Sequence, residues 1–170
     1  AAEDRTWTGE LVINGIPIGV ELDGKAAPQA VASTVYLADK GFYDGVNCHR
    51  LTTEGIFVLQ CGDPNGDGTG GPGYFYGPIE NDPADEMYPA GTLAMARRGG
   101  DGNSIGSQFF IVYKDSRIPS EAGIGGYTVI GRITSGLPEL EAGVISGGVE
   151  GGSTDGKPVV TTVIGSFTLQ

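Results

Sequence analysis

The sequence predicts a mainly β fold, an antiparallel barrel or sandwich whose open ends are covered by two short helices. Three observations carry this. The apolar runs are short and several alternate, as in Ile16, Ile18, Val20 and Leu22 against Pro17, Gly19 and Glu21. Thirty-one glycines and ten prolines punctuate those runs and supply tight turns between strands. The elements number about eight strands and two helices, without the strand–helix alternation that builds a parallel sheet. With 39% hydrophobic residues in 170, and no internal repeat or linker, residues 1–170 suit a single domain around one core.

Taken in order, residues 1–8 read as a frayed start. Leu11-Val12-Ile13 is a strand ended by Asn14-Gly15, a hairpin dipeptide whose residues accept positive φ, and residues 16–22 return. Residues 28–40 are the best helix. Pro28 suits its first turn, Val31, Val35, Tyr36 and Leu37 form the expected apolar stripe, and Gly41 suits a left-handed cap. A second hairpin joins strands 47–51 and 57–62 through the turn residues Thr53-Glu54-Gly55-Ile56. Residues 62–78 are too poor in aliphatics for a core element and read as a long surface loop. Strands follow at 92–96, 107–113 and 127–131. A short helix is expected at 137–142, and one or two closing strands within 158–169.

Charge narrows the functional classes. The net charge is −11 with only ten Lys and Arg, so there is no basic face to displace counterions from nucleic-acid phosphates or to meet an anionic membrane. The acidity favours solubility and a monomer. No segment reaches the roughly 18 apolar residues of a membrane helix. The chain begins Ala1-Ala2-Glu3, which fits a trimmed cytoplasmic protein and equally a soluble extracytoplasmic domain released from an N-terminal anchor. Cys48 and Cys61 flank the second hairpin at about equal distances from its turn, so a disulfide is feasible and a pair of reduced thiols fits as well. Two Cys and one His fall short of a zinc site.

Three motif matches fail on context. Gly102-Asn103-Ser104-Ile105-Gly106 fits G-x-S-x-G, but a polar loop precedes it and a strand follows, the reverse of a nucleophile elbow. Gly66-Asp67-Gly68-Thr69-Gly70-Gly71 fits G-x-G-x-x-G, yet Pro72 and Gly73 forbid the helix whose amides would hold a pyrophosphate. Asp63-Pro64-Asn65-Gly66-Asp67-Gly68 opens like a calcium loop, but the twelfth position is Tyr74 and not a bidentate Glu.

A fourth pattern holds together. Tyr43-Asp44-Gly45, His49-Arg50, Phe57, Gln60-Cys61-Gly62-Asp63-Pro64, Met95-Ala96 and Gly106-Ser107-Gln108-Phe109-Phe110-Ile111 together resemble the cyclophilin family of peptidyl-prolyl isomerases, most nearly a bacterial branch. The likeness runs from about Leu11 to the end. It implies eight antiparallel strands closed into a barrel with two capping helices, a site on the barrel's outer face, and rotation about X–Pro bonds without cofactor or metal. The partners it implies are proline-containing peptides and unfolded or flexible protein segments.

The chemistry is intelligible from the residues. An amide resists rotation by about 18–20 kcal/mol because twisting breaks resonance, and twisting localises a lone pair on the prolyl nitrogen. A fixed cationic donor beside that nitrogen stabilises the twisted state selectively, and Arg suits because it keeps its proton. By resemblance Arg50 takes that role, with Phe57 and Gln60 completing the catalytic set. Val58, Phe110, Ile118 and Tyr127 match positions around the proline ring, Gln108 matches a polar contact, and Ala96 and Arg97 match a strip that pairs with the bound peptide as an added strand. His49 is expected to be structural, facing away from Arg50 on its strand. The departures are Arg117-Ile118 where the family commonly has Trp and Leu, Tyr127 for a pocket histidine, and Arg97 for an Asn. The missing Trp implies weak binding of cyclosporin, and Arg97 implies a changed preference around the proline. The rival reading keeps the groove as a binder of proline peptides with little or no turnover.

Overall fold

Asn14 and Gly15 both take positive φ (51° and 76°), the geometry of a two-residue hairpin turn, and they fold β1 (Thr6–Ile13) onto β2 (Ile16–Asp23). The computed structural model describes residues 1–170. The start is less frayed than the sequence suggests. β1 begins at Thr6, and the buried Trp7 indole donates to the Ala2 carbonyl at 2.7 Å, which ties the first residues down.

Next comes α1 (Pro28–Asp39), then β3 (Cys48–Thr52) and β4 (Val58–Cys61). β5 (Met87–Tyr88), β6 (Thr92–Met95), β7 (Phe109–Val112) and β8 (Ser116–Arg117) follow, then β9 (Val129–Ser135), α2 (Leu137–Gly143), β10 (Asp155–Gly156) and β11 (Ile164–Leu169). One antiparallel sheet runs β10-β3-β4-β7-β6-β9-β2-β1-β11, while β5 and β8 pair separately. The sheet curls until its ends meet. The chain from β10 to β11 runs back along the free edge of β3, bonding it at Thr52 and Leu51 through β10 and again where Cys48 N–H donates to the Thr162 carbonyl (2.9 Å). The eight-stranded barrel expected from the resemblance is therefore approximate: its seam is bonded at both ends of β3 and open between them.

The helices cover the barrel with a face slightly different from the predicted one. In α1 the buried side chains are Ala30, Val31, Thr34, Leu37 and Ala38, while Tyr36 is 57% exposed. Tyr36 lies one position outside the 3.6-residue stripe, so its apolar ring misled the sequence reading. Gly41 caps the helix at φ 71°. Its N–H reaches the Ala38 carbonyl and the Phe42 N–H reaches Leu37, the paired bonds of a Schellman motif. At the other end Ala27 offers no cap. The Glu80 carboxylate accepts the Gln29 and Ala30 N–H groups at 3.1 Å instead, which anchors the long loop after β4 against the helix.

Strand alternation splits the apolar residues into two groups. Leu51, Leu59, Leu93, Met95, Phe109 and Ile111 point inward with Leu11, Ile18, Leu22, Ile164 and Phe167 to form the barrel core. Val58, Ala94, Phe110 and Val112 point outward and form a smaller cluster with Tyr88. At β3 the alternation is broken. Cys48 opposes Cys61 and Arg50 opposes Gln60, so His49 is the extra residue of a β-bulge. The bulge lets Cys48 and Leu51 both reach the core, although an unbroken strand would send them to opposite faces.

Cys48 and Cys61 are joined by a disulfide across this pair, which settles the alternative that the sequence left open. Thiol titration under denaturing, non-reducing conditions is expected to find no free thiol. Reduction is expected to lower stability by about 2–3 kcal/mol, the chain-entropy effect of a loop this short. Two titratable thiols in the native preparation would refute the bridge.

Candidate active site

The outward cluster lies on the floor of a cavity of about 140 Å³ lined by Arg50, Ile56, Val58, Gln60, Ala96, Arg97, Phe110, Ile118 and Tyr127. Eight of the ten residues singled out from the sequence thus converge on one cup. A second, more polar cavity adjoins it, sharing Gln60, Ala96 and Arg97 and adding Gln108, Thr69, Ser104 and Arg98.

The sheet register builds the cup. Arg50 opposes Gln60, Gln60 opposes Phe110, and Phe110 opposes Ala94, so four neighbouring strands present one row on the outer face. The Phe110 ring meets Tyr127 edge to face at 5.5 Å, and Tyr127 in turn meets Tyr88 at 6.4 Å. Tyr88 also accepts the Tyr127 N–H at 2.9 Å through its hydroxyl, which fixes where that wall stands.

A chain of hydrogen bonds holds Arg50. Its Nη1 donates to Gln60 Oε1 at 3.2 Å, Gln60 Nε2 donates to Gln108 Oε1 at 2.8 Å, and Gln108 Nε2 donates to the Gly68 and Gly70 carbonyls at 3.0 Å. On its other side the guanidinium forms a fork with Asp155, Nε to Oδ1 at 2.9 Å and Nη2 to Oδ2 at 3.0 Å. These bonds to Asp155 raise the Arg50 pKa further, and bonding to Arg50 holds the Asp155 carboxyl below the ordinary carboxylate range. Both side chains remain partly open to solvent (38% and 54%), so the pair orients the guanidinium more than it stabilises the fold.

The placements of Phe57 and His49 differ from the sequence reading. Phe57 does not line the cup. Its ring packs edge-on against Tyr113 at 6.0 Å under the Lys114 ammonium, and Ile56, read as a turn residue, takes the wall. Arg97 reaches the cup, but its side chain is only 1% exposed, so what it offers there is main chain. His49 does not simply face away from Arg50. The bulge packs its imidazole against Gly68, where an added Cβ would lie 3.3 Å from Nε2. Burial pushes its pKa down, with Asp63 opposing, and its Nδ1 has no partner.

Sequence reasoning missed Asp155, which lies 105 residues from Arg50 in a glycine-rich connector and is delivered only by the β10–β3 pairing. It also missed the use of the loop after β4. The buried Asp63 carboxylate, which opens the apparent calcium loop, is occupied by the loop's own amides, accepting from Asn65 (2.8 Å), Asp67 (3.0 Å) and Gly68. This loop carries the Gly68 and Gly70 carbonyls that anchor Gln108.

The family model described as cyclophilin type peptidyl-prolyl cis-trans isomerase/CLD matches residues 10–168. A probable peptidyl-prolyl cis-trans isomerase B of Mycobacterium tuberculosis is 45% identical over 94% of this chain and 53% of its own length. The chain thus spans about half the length of that relative. Peptidyl-prolyl cis-trans isomerase B of Bacillus subtilis is 44% identical over 75% of this chain and 82% of its own. Among solved structures, a Cryptosporidium parvum cyclophilin-type isomerase crystallised in the presence of the dipeptide Ala-Pro superposes with a TM-score of 0.77 at 25% identity, covering 98% of this chain and 99% of that one. The curled antiparallel sheet with two helices is thus a fold this chain shares with a solved cyclophilin-type structure. This chain belongs to the cyclophilin-type peptidyl-prolyl cis-trans isomerase family.

Asp63 makes the site sensitive to acid. Burial raises its pKa, but the bonds from Asn65, Gly70, Asp67 and Gly68 outweigh that and bring it to about 2, from 3.8. A carboxylate depressed on folding stabilises the loop fully above its unfolded pKa, and loses that contribution as pH falls through the folded value. The amide signals of Asn65 and Gly68 are expected to hold steady down to about pH 4 and to shift together toward pH 2, while Asp63→Asn shows the shifted positions at neutral pH. Signals that stay put from about pH 5 to 2 would refute this.

Proposed function

We propose that this chain catalyses cis–trans rotation of X–Pro bonds in exposed peptide segments, with Arg50 as the electrophilic donor and the adjoining cup as the seat for the proline ring. The observation that carries the reading is the placement of Arg50. A charged donor that cannot deprotonate is held by Gln60 and Asp155 at the edge of an apolar cup. The C. parvum relative's crystallisation with Ala-Pro supports a proline-containing ligand for that cup.

A proline ring seated on Phe110, Val58, Ile118 and Tyr127 brings its amide nitrogen toward the guanidinium. Twisting the amide turns that nitrogen from a resonance-bound donor of electron density into a lone-pair acceptor. A hydrogen bond from Arg50 is then stronger in the twisted state than in either planar one, which is the condition for acceleration. The Ala96 carbonyl and the Arg97 N–H carry no hydrogen bond within the chain, so the peptide has backbone groups to pair with at the rim. Gln108 and the polar cavity beside the cup take the residues preceding proline. No cofactor or metal has a part in these steps. Arg117 points outward on β8 (61% exposed) and pairs with Glu86, so no indole is offered to a bulky macrocycle, and we expect cyclosporin to bind weakly. Cyclosporin inhibition at nanomolar concentration would contradict that.

One observation favours the second reading, a binder of proline peptides with little turnover. Asp155 places a carboxylate against the same guanidinium and weakens its field at the substrate. NMR exchange on an X–Pro peptide at equilibrium separates the two. We expect fast cis–trans exchange with the wild type, and at least about a tenfold slower rate with Arg50→Ala, as for removal of one preorganised donor. Peptide signals that shift and saturate without exchanging would establish the binder.

A further inference from the structure

The second arginine of the site, Arg97, replaces a polar residue common in the family, and its neighbour across the rim, Tyr127, replaces a histidine. The structure joins these two departures. The Arg97 guanidinium is buried and nearly saturated. Nε donates to the Gly126 carbonyl at 2.9 Å, Nη2 to the Gly125 carbonyl at 3.0 Å, and Nη1 to the Arg98 carbonyl at 3.0 Å and Glu121 Oε1 at 2.9 Å. Its Cζ lies 4.6 Å above the centre of the Tyr127 ring, a cation–π contact with a desolvated cation. Glu121 extends the clasp, because its Oε2 accepts the Gly100 N–H at 2.8 Å and so ties the loop before Tyr127 to the loop after Arg97.

This segment has little else to order it. Between Ile118 and Tyr127, both of which line the cup, the chain contains three glycines and no buried apolar side chain. Its remaining fixed points are polar: the Glu121–Gly125 turn bonds, Glu86 Oε2 accepting the Ser120 N–H at 2.6 Å, and Asp82 Oδ2 accepting the Gly126 N–H at 2.9 Å. A segment of that composition stays ordered only where directional bonds hold it.

We infer that Arg97 is a positioning residue, which with Glu121 fixes residues 119–126 and thereby the Tyr127 and Ile118 walls of the proline cup. The inference rests on the proposed isomerase site and assigns Arg97 a part that is not contact with substrate through its side chain. If the clasp sets the fraction of molecules whose cup is formed, losing it weakens apparent binding by that fraction, without altering turnover once peptide is bound. Arg50 is held independently by Gln60 and Asp155, so its chemistry survives.

The test compares wild type with Arg97→Asn, Arg97→Lys and Glu121→Gln in the intact chain. Amide hydrogen exchange at Gly125 and Gly126 and the Tyr127 ring signals are followed by NMR, and kcat and KM are measured on an Ala-Pro-containing tetrapeptide. In Arg97→Asn the loop amides should lose protection while β1 and β2 keep theirs, and KM should rise about tenfold with kcat within about threefold. Lysine keeps the charge but cannot form the fork, and should restore less than half of the lost loop protection. Unchanged loop protection and KM in Arg97→Asn would overturn the inference, and so would a fall in kcat with KM unchanged. Should Arg97→Asn fail to fold, Glu121→Gln decides: its carboxylate is partly exposed, and a loop as protected as in wild type would overturn the inference. The loop measurements need no turnover, so an inactive wild type would refute the isomerase reading and leave this one still judged.

Discussion

The register of β3 on β4 and of β4 on β7 is the constraint on which the rest of this site depends. It lines up Arg50, Gln60, Phe110 and Ala94 across four strands. Neighbouring strands stand about 4.8 Å apart, so a cation, an amide, a ring and a methyl succeed one another at fixed intervals on one face. A slip of one residue would turn all of them into the barrel and bring Leu59 and Ile111 out. The inward leucines and isoleucines therefore hold the outward row in place. The free energy that closes the barrel also aims the arginine.

The same row explains why the long loop between β4 and β5, residues 62–86, is ordered without regular structure. Gln60 uses both ends of its amide, accepting from Arg50 and donating to Gln108, and this fixes which end is oxygen. Gln108 must then donate outward, and its acceptors are carbonyls of the loop after β4. That loop is shaped around the buried Asp63, whose charge is satisfied by amides in place of water. A polar chain thus runs from the guanidinium to the buried Asp63 carboxylate. Each member is oriented by the next, as buried or half-buried polar networks require.

What the sequence disclosed divides along the same line. Local signals were legible: Asn14-Gly15 as a hairpin turn, Pro28 and Gly41 as helix limits, and the alternation of β2. The two blocks around Arg50 and Phe110 carried the family and most of the cup. Pairing across the barrel was not legible. Alternation cannot say which face of β7 is core, because Phe109 and Phe110 are chemically the same and only the register separates them. The bulge at His49 leaves no mark in composition, yet it decides where His49, Cys48 and Leu51 point. Phe57 and Ile56 exchange roles because the strand begins one residue later than predicted. Asp155 carries no signal beyond a turn-forming Ser-Thr-Asp-Gly run.

Two arginines on one rim show how little residue type alone decides. Arg has five N–H donors. Arg50 uses three of them, on Gln60 and Asp155, and keeps its remaining donors at a surface that is still 38% open. Arg97 uses four, on three carbonyls and Glu121, and is 1% exposed. Donors already engaged in the planar-amide state gain nothing when the amide twists, so Arg97 has no differential interaction to contribute. Arg50 does, and the carboxylate beside it acts in two opposite ways. Asp155 reduces the net charge that the prolyl nitrogen meets, but it occupies the Nε–Nη2 side and leaves the other side of the guanidinium to Gln60 and the cup. A free arginine would lose rotamer entropy on meeting each substrate and would be solvated in the interval. Holding it in place removes that cost before the peptide arrives, and preorganised donors owe their effect to that.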